Sequence, residues 1–159
     1  GGYNGEGQNK SDANNGKMLV GRLVVIPCKG LHLGVAHVNN EVGAAEVDSV
    51  RTGFEAKYTL GRACVYGEYV FGESDGKDRK TYYATALYNV LDNVQLAVRH
   101  DWYDPDTDKD DDAATEPTAG INLFIAKHNA KVQLNYVFRG EEGASVDNDI
   151  VRANVQVSF

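Results

Sequence analysis

Proline, tryptophan and methionine are scarce in this 159-residue chain, at three, one and one. So little proline leaves long stretches free to form unbroken strand ladders. No apolar run approaches the roughly 18 residues of a membrane-spanning helix. A net charge of −7 and the lack of any basic stripe argue against a nucleic-acid partner. There is no G-x-S-x-G, no H-E-x-x-H and no P-loop, so the sequence predicts no enzyme. The two cysteines, Cys28 and Cys64, do not form a C-x-x-C pair, and His32, His37, His100 and His128 are scattered. No cofactor or metal site is predicted from them. The chain opens at Gly1 on a Gly/Asn-rich stretch without a basic n-region or an apolar h-region, as would a processed secreted protein or part of a longer chain.

What the chain does contain is glycine, at 17 residues, and tyrosine, at nine. With few helix signals, that composition points to many short strands joined by tight turns. The mean hydropathy of −0.42 looks soluble, but a two-faced strand averages its faces away. Nine strands are predicted, each near the length a tilted membrane strand needs. They run Lys17–Pro27, Leu31–Asn39, Val50–Leu60, Ala63–Phe71, Thr81–Leu91, Val94–Tyr103, Thr118–Lys127, Lys131–Arg139 and Asp149–Phe159. The breaks alternate. Those at Cys28–Gly30, Gly61–Arg62, Asp92–Asn93 and His128–Ala130 are short. Those at Asn40–Ser49, Gly72–Lys80, Asp104–Pro117 and Gly140–Asn148 are long and polar. Short turns at one end and long loops at the other are the signature of an outer-membrane barrel.

Apolar and polar residues alternate most cleanly near the C-terminus. Val151, Ala153, Val155, Val157 and Phe159 share one face, and Arg152, Asn154, Gln156 and Ser158 the other. A soluble barrel turns its apolar face inward; a membrane barrel turns it to lipid. Loop alternation favours the membrane, and so do aromatic residues near strand ends: Tyr58, Tyr69, Phe71, Tyr82, Tyr88, Trp102, Tyr136, Phe138 and Phe159. With short turns periplasmic, the last strand runs inward and residues 1–16 form a polar extracellular loop. An odd strand count starting outside suggests the C-terminal portion of a larger barrel, unless one strand is miscounted.

The predicted fold is therefore an all-β antiparallel transmembrane barrel, with residues 1–159 one barrel domain or part of one. On that reading Arg22, Lys57, Glu68, Arg99, Asp101, Lys131, Arg139 and Arg152 line the pore, joined by His32, Glu55, Asn154 and Gln156. Charge there biases which ions pass. The plainer alternative is that opposite charges pair across strands and brace the wall. Asp104, Asp106, Asp108, Asp110, Asp111 and Asp112 form an acidic loop. Its D-x-D-x-D spacing is that of a calcium loop, but Lys109 stands where an EF-hand needs glycine and the last Glu is missing. A solvated loop is the default, with weak Ca²⁺ binding beside it. Cys28 and Cys64 sit near successive turns, about 10 Å apart across a hairpin, too far to bridge unless the turns fold together.

Several short motifs, in order, resemble the phosphate-selective porin O and P family. Tyr3-Asn4-Gly5-Glu6-Gly7-Gln8, Asn14-Asn15-Gly16-Lys17 and Val20-Gly21-Arg22-Leu23 with Pro27 are similar to a loop and the strand it enters. Gly67-Glu68-Tyr69, Arg99-His100-Asp101 with Asp104-Pro105-Asp106, Ala119-Gly120-Ile121-Asn122 and Asn135-Tyr136 resemble later strands. The resemblance implies a barrel of about 16, sometimes 18, strands, usually trimeric, passing small anions. This chain would supply its C-terminal half. The concentrated lysine and arginine ladder of a phosphate-selective pore is not seen, so passive diffusion of small solutes is the expectation. Expected partners are outer-membrane lipid, lipopolysaccharide and further copies in a trimer. Two alternatives are a β-barrel sheath around another outer-membrane protein, such as a multihaem cytochrome, and a soluble ligand-binding barrel.

Overall fold

Alternating β-branched and aromatic residues, punctuated by glycine-bearing turns, leave the backbone little choice but extended pairing. The computed structural model describes residues 1–7, 9–126, 129–142 and 146–158. Among them there are twelve strands and no helix: β1 Gly2–Tyr3, β2 Met18–Cys28, β3 Leu31–Asn39, β4 Glu41–Val42, β5 Val47–Leu60, β6 Ala63–Ser74, β7 Lys77–Leu91, β8 Val94–Asp104, β9 Ala114–Phe124, β10 Ala130–Val137, β11 Gly140–Glu141 and β12 Ile150–Val157. Nine are long and correspond one for one to the predicted strands. Phe159, the last of the aromatic residues named near strand ends, and His128 lie outside the described residues.

All pairings are antiparallel, in a meander β1-β2-β3-β5-β6-β7-β8-β9-β10-β12, with β4 beside β5 and β11 beside β9. The sheet is open, so the barrel expected from sequence is here an antiparallel sheet with two free edges. In an antiparallel meander of nine long strands, β2 and β12 run the same way and cannot close as an antiparallel pair.

Several boundaries differ from expectation. Within the expected loop Asn40–Ser49, β4 pairs back on Val47 and Asp48, so β5 begins at Val47, not Val50. The break at Gly72–Lys80 is not a long loop. Asp75 (φ 58°) and Gly76 (φ 67°) make a two-residue turn, and Ser74 pairs with Lys77. Both positive φ values match a type I′ hairpin, for which Asp-Gly is a preferred sequence. Strand β9 begins at Ala114, not Thr118, because Thr115 and Ala114 pair with Trp102 and Tyr103. Residues 1–16 are not all loop either: β1 lies on the edge of β2, Gly2 opposite Leu19.

The sheet has no apolar core. Ala113 and Val137 are the only buried apolar residues among the described ones. The accessible surface is 10753 Å², whereas a compact chain of 17.3 kDa would expose about 7,800 Å². That excess is largely apolar side chains on one face. Leu23, Phe54, Val65, Tyr88, Val98, Leu134 and Val155 are each about half exposed or more.

Candidate functional site

Strand register assigns every side chain to a face. The series Leu23, Val35, Phe54, Tyr69, Tyr82 and Trp102 runs across neighbouring strands on one face. So does Val94, Leu123, Val132 and Val155. Aromatic rings cluster toward its long-loop end: Tyr82 stacks on Trp102 at 5.4 Å, and Tyr69 lies 5.8 Å from Phe71. A shallow apolar trough of about 680 Å³ crosses this face where Ala56, Gly67 and Ala84 replace larger residues. His37 and His100 also lie here, against Thr52 and Tyr82.

The opposite face is polar, and Arg22, Lys57, Glu68, Arg99, Asp101, Lys131 and Arg152 all belong to it. Arg139, just beyond β10, joins them because its Nε donates to Glu116 Oε1 at 2.7 Å. Side chains crowd on this face. Thr85, Asn122 and Val137 are buried there, and residues from six strands, β6 to β10 and β12, share a cavity of about 440 Å³. Crowding on the polar side and exposure on the apolar side mean that the sheet bends toward its polar face.

The charges are ordered in rows. Glu55, Glu68, Tyr83, Asp101 and Glu116 stand directly opposite one another from β5 to β9. The next polar row, nearer the short turns, holds His32, Lys57, Tyr66, Thr85 and Arg99. Like charges directly opposite repel, so the acidic row needs partners. Glu55 accepts from Arg22 and, at 2.9 Å, from His32 Nε2, which must be the protonated nitrogen because an ionised carboxylate only accepts. Its carboxylate lies over Gly34, where a Cβ would come within 2.3 Å of Oε1. Arg99 grips Asp101 through two bonds, of 2.7 and 2.5 Å, and lies 3.9 Å over the Tyr83 ring. Planar pairing and a ring face both suit a guanidinium. Lys57, Glu68, Lys131 and Arg152 have no ion pair among the described residues.

Beyond the basic row runs a chain of amides that sequence reasoning did not find. Gln133 Nε2 donates to Asn122 Oδ1, Asn122 Nδ2 to Gln95 Oε1, and Gln95 Nε2 to Asn89 Oδ1, each at 2.9 Å. Glu116 was missed because β9 was started too late, and Arg79 because the Asp75-Gly76 hairpin was taken for a loop; Arg51, which flanks Gly72 opposite Arg79, lay within a predicted strand and was not singled out.

Charge also divides along the strands. Of the 23 carboxylates, all but Asp92 lie in the acidic row or on its long-loop side. On the short-turn side stand Lys29, Lys57, Arg62, Arg99, Lys131 and Arg152, whereas Arg22, Arg51, Lys77 and Arg79 stand on the long-loop side of the polar face, so bases occur at both ends of it. Arg62 ties one short turn to the next, donating to Asp92 at 3.1 Å and to the Val90 carbonyl at 2.9 Å.

The acidic loop does not assemble into a calcium site. Asp106, its most buried carboxylate, faces Lys109 at 3.3 Å and Lys77 at 3.6 Å. Among the described residues no three acidic, histidine or cysteine groups converge as metal ligands. Instead the loop leans on the neighbouring hairpin, Thr107 N–H donating to the Asp78 carbonyl at 2.9 Å. Both cysteines are free thiols. At the far loop, the Asp149 carboxylate accepts from the Arg139 N–H at 3.0 Å and the Tyr136 hydroxyl at 2.8 Å. Those donors, the backbone N–H first, hold its carboxyl below the usual range. Compared with protein-family models, with curated proteins and with solved structures, the chain matches none.

Proposed function

We propose that this chain forms wall of a water-filled channel in a bacterial outer membrane, with its apolar face against lipid and its polar face along an aqueous path for small hydrophilic solutes and anions. One observation carries the reading: side chains crowd together on the polar face and stand exposed on the apolar one, as they do when a sheet bends toward its polar side. A soluble ligand-binding barrel needs the reverse curvature, with its apolar face enclosed. A continuous exposed apolar face far exceeds the patches soluble monomers tolerate, and hydrocarbon is the solvent that suits it. Bases outnumber acids among the unpaired charges of the polar face, which favours anions over cations there. The motifs that resemble the phosphate-selective porin O and P family agree with this function.

Lipid does not tolerate free strand edges, so the two edges must pair with further strands in the assembled channel. The test is to reconstitute the purified protein in a planar bilayer and record current in potassium chloride. Discrete conductance steps are expected. A protein that inserts with no conductance would instead favour a sheath around another chain, and one extracted from membranes by salt alone would favour the soluble reading.

A further inference from the structure

We infer that the channel holds a subsite for neutral polyhydroxylated solutes, of monosaccharide to disaccharide size, on the polar face between β7 and β12. This rests on the channel reading above and names a solute class for it.

Register builds the site. Asn89, Gln95, Asn122, Gln133 and Asn154 stand directly opposite one another on β7, β8, β9, β10 and β12. Three bonds of 2.9 Å link the first four head to tail. Bracing the wall uses only part of what this row offers. An amide carries two N–H groups and two carbonyl lone pairs. Gln95 and Asn122 each commit one N–H and one lone pair to the row and keep one of each. Asn154, and Asn135 one row nearer the loops, make no hydrogen bond among the described residues.

A hollow lies beside the row. Between it and the row of Thr85, Arg99 and Thr118 stand Ala97 and Gly120, whose small side chains leave the floor low. Asn135 lies across Gly120, where a Cβ would come within 2.0 Å of its Oδ1. The volume, about 440 Å³, falls within the range of about 300–1,000 Å³ found for small-molecule sites.

Charge in the hollow cancels in pairs. Arg99 grips Asp101 and Arg139 holds Glu116, which leaves Arg152, exposed to solvent and opposite Asn135. Hydroxyls that both donate and accept match amides that do the same. Tyr66, also in the lining, adds an apolar ring with a polar tip. A polyol can there exchange its water for direct bonds at several hydroxyls.

The test uses the assembled protein in a planar bilayer, with maltose added to the potassium chloride. Maltose should reduce the current along a saturating curve, as a solute does when it occupies a site in the path. A polyethylene glycol of matched size, with ether oxygens and almost no hydroxyl donors, should reduce it only in proportion to concentration. Asn135→Ala and Asn154→Ala remove amides that hold nothing else in the wall. Each should raise the half-saturating maltose concentration about fivefold, the loss of roughly one hydrogen bond. Reduction that is linear in maltose overturns the subsite and leaves the channel reading intact. So does a saturating curve that both variants leave unchanged. Absence of any conductance counts against the channel reading itself. Calorimetric titration of the vesicle-bound protein with maltose then decides the subsite: saturable heat that both variants weaken supports it, and no saturable heat overturns it.

Discussion

The two faces of this sheet are built from the same strands and obey opposite rules. On the apolar face few side chains of the described residues are hydrogen-bonded, among them His37 with Thr52, His100 with Tyr82 and Thr115 with the Gly140 carbonyl, and many apolar side chains stand about half exposed. On the polar face several long side chains have partners: Arg22 and His32 on Glu55, Arg99 on Asp101, Arg139 on Glu116, and the amide chain from Asn89 to Gln133, while Lys57, Glu68, Lys131 and Arg152 form no ion pair among the described residues. A face that satisfies its polar groups internally is suited to a narrow aqueous path, where water is limited. A face with no polar groups to satisfy is suited to lipid.

The sharpest way to break that comparison is to put one charge on each face at neighbouring positions. Val98→Arg, on the apolar face, should destabilise the lipid-inserted protein by about 2–4 kcal/mol in a urea titration on vesicles. Thr118→Arg, opposite Arg99 on the polar face, should cost less than about 1 kcal/mol. Equal costs would mean that the faces do not meet different solvents.

A second probe concerns how closely the strands approach. A Cβ at Gly72 would lie 2.0 Å from the Val50 carbonyl oxygen, a backbone atom that cannot swing aside. Gly72→Ala should therefore cost about 1–3 kcal/mol in the same titration. A neutral result would show that β5 and β6 part there easily.

Weaker effects sharpen the charge pattern. Arg99 and Asp101 are each about a third exposed, so Arg99→Gln should change stability by less than about 1 kcal/mol. Its measurable effect should be on reversal potential in a salt gradient, shifted toward cations because Asp101 is left unopposed. An unshifted potential would place the pair outside the conduction path.

The smallest expected effect is on pH. Asp149 has a depressed carboxyl, so its hold on Arg139 and Tyr136 is fully present above the ordinary Asp range and is lost as pH falls through its lowered value. Acidification should then expose the backbone around Arg139 and Asp149 to an acid-active protease before the sheet unfolds, and Asp149→Asn should show that exposure at neutral pH. Identical cleavage at both pH values would remove the anchor.

Strand number, order and facing were legible from period-two alternation, because one buried or lipid-facing side imposes it on every strand. Where the boundaries failed, local chemistry had outweighed polarity. Asp75-Gly76 is a strong turn signal inside a polar stretch, and polarity alone made that stretch look like a loop. The residues of the polar face were readable one by one, since alternation along a strand groups its charged side chains on one side. Their rows were not, because register between strands depends on turn lengths and on the shifts between Val25 and Cys28 and between Asn89 and Leu91. Closure was not legible either. The pattern within a strand says nothing about what pairs with its outer edge.

The most direct test of the two-faced wall is spin-label accessibility along β8 in lipid vesicles, one label at a time from Gln95 to His100. The expected result is a period of two: labels at Leu96, Val98 and His100 accessible to oxygen dissolved in lipid, and labels at Gln95, Ala97 and Arg99 accessible to a water-soluble relaxant. The contradicting result is the apolar set shielded from oxygen while the polar set meets bulk water, which is the pattern of a soluble barrel with an apolar interior.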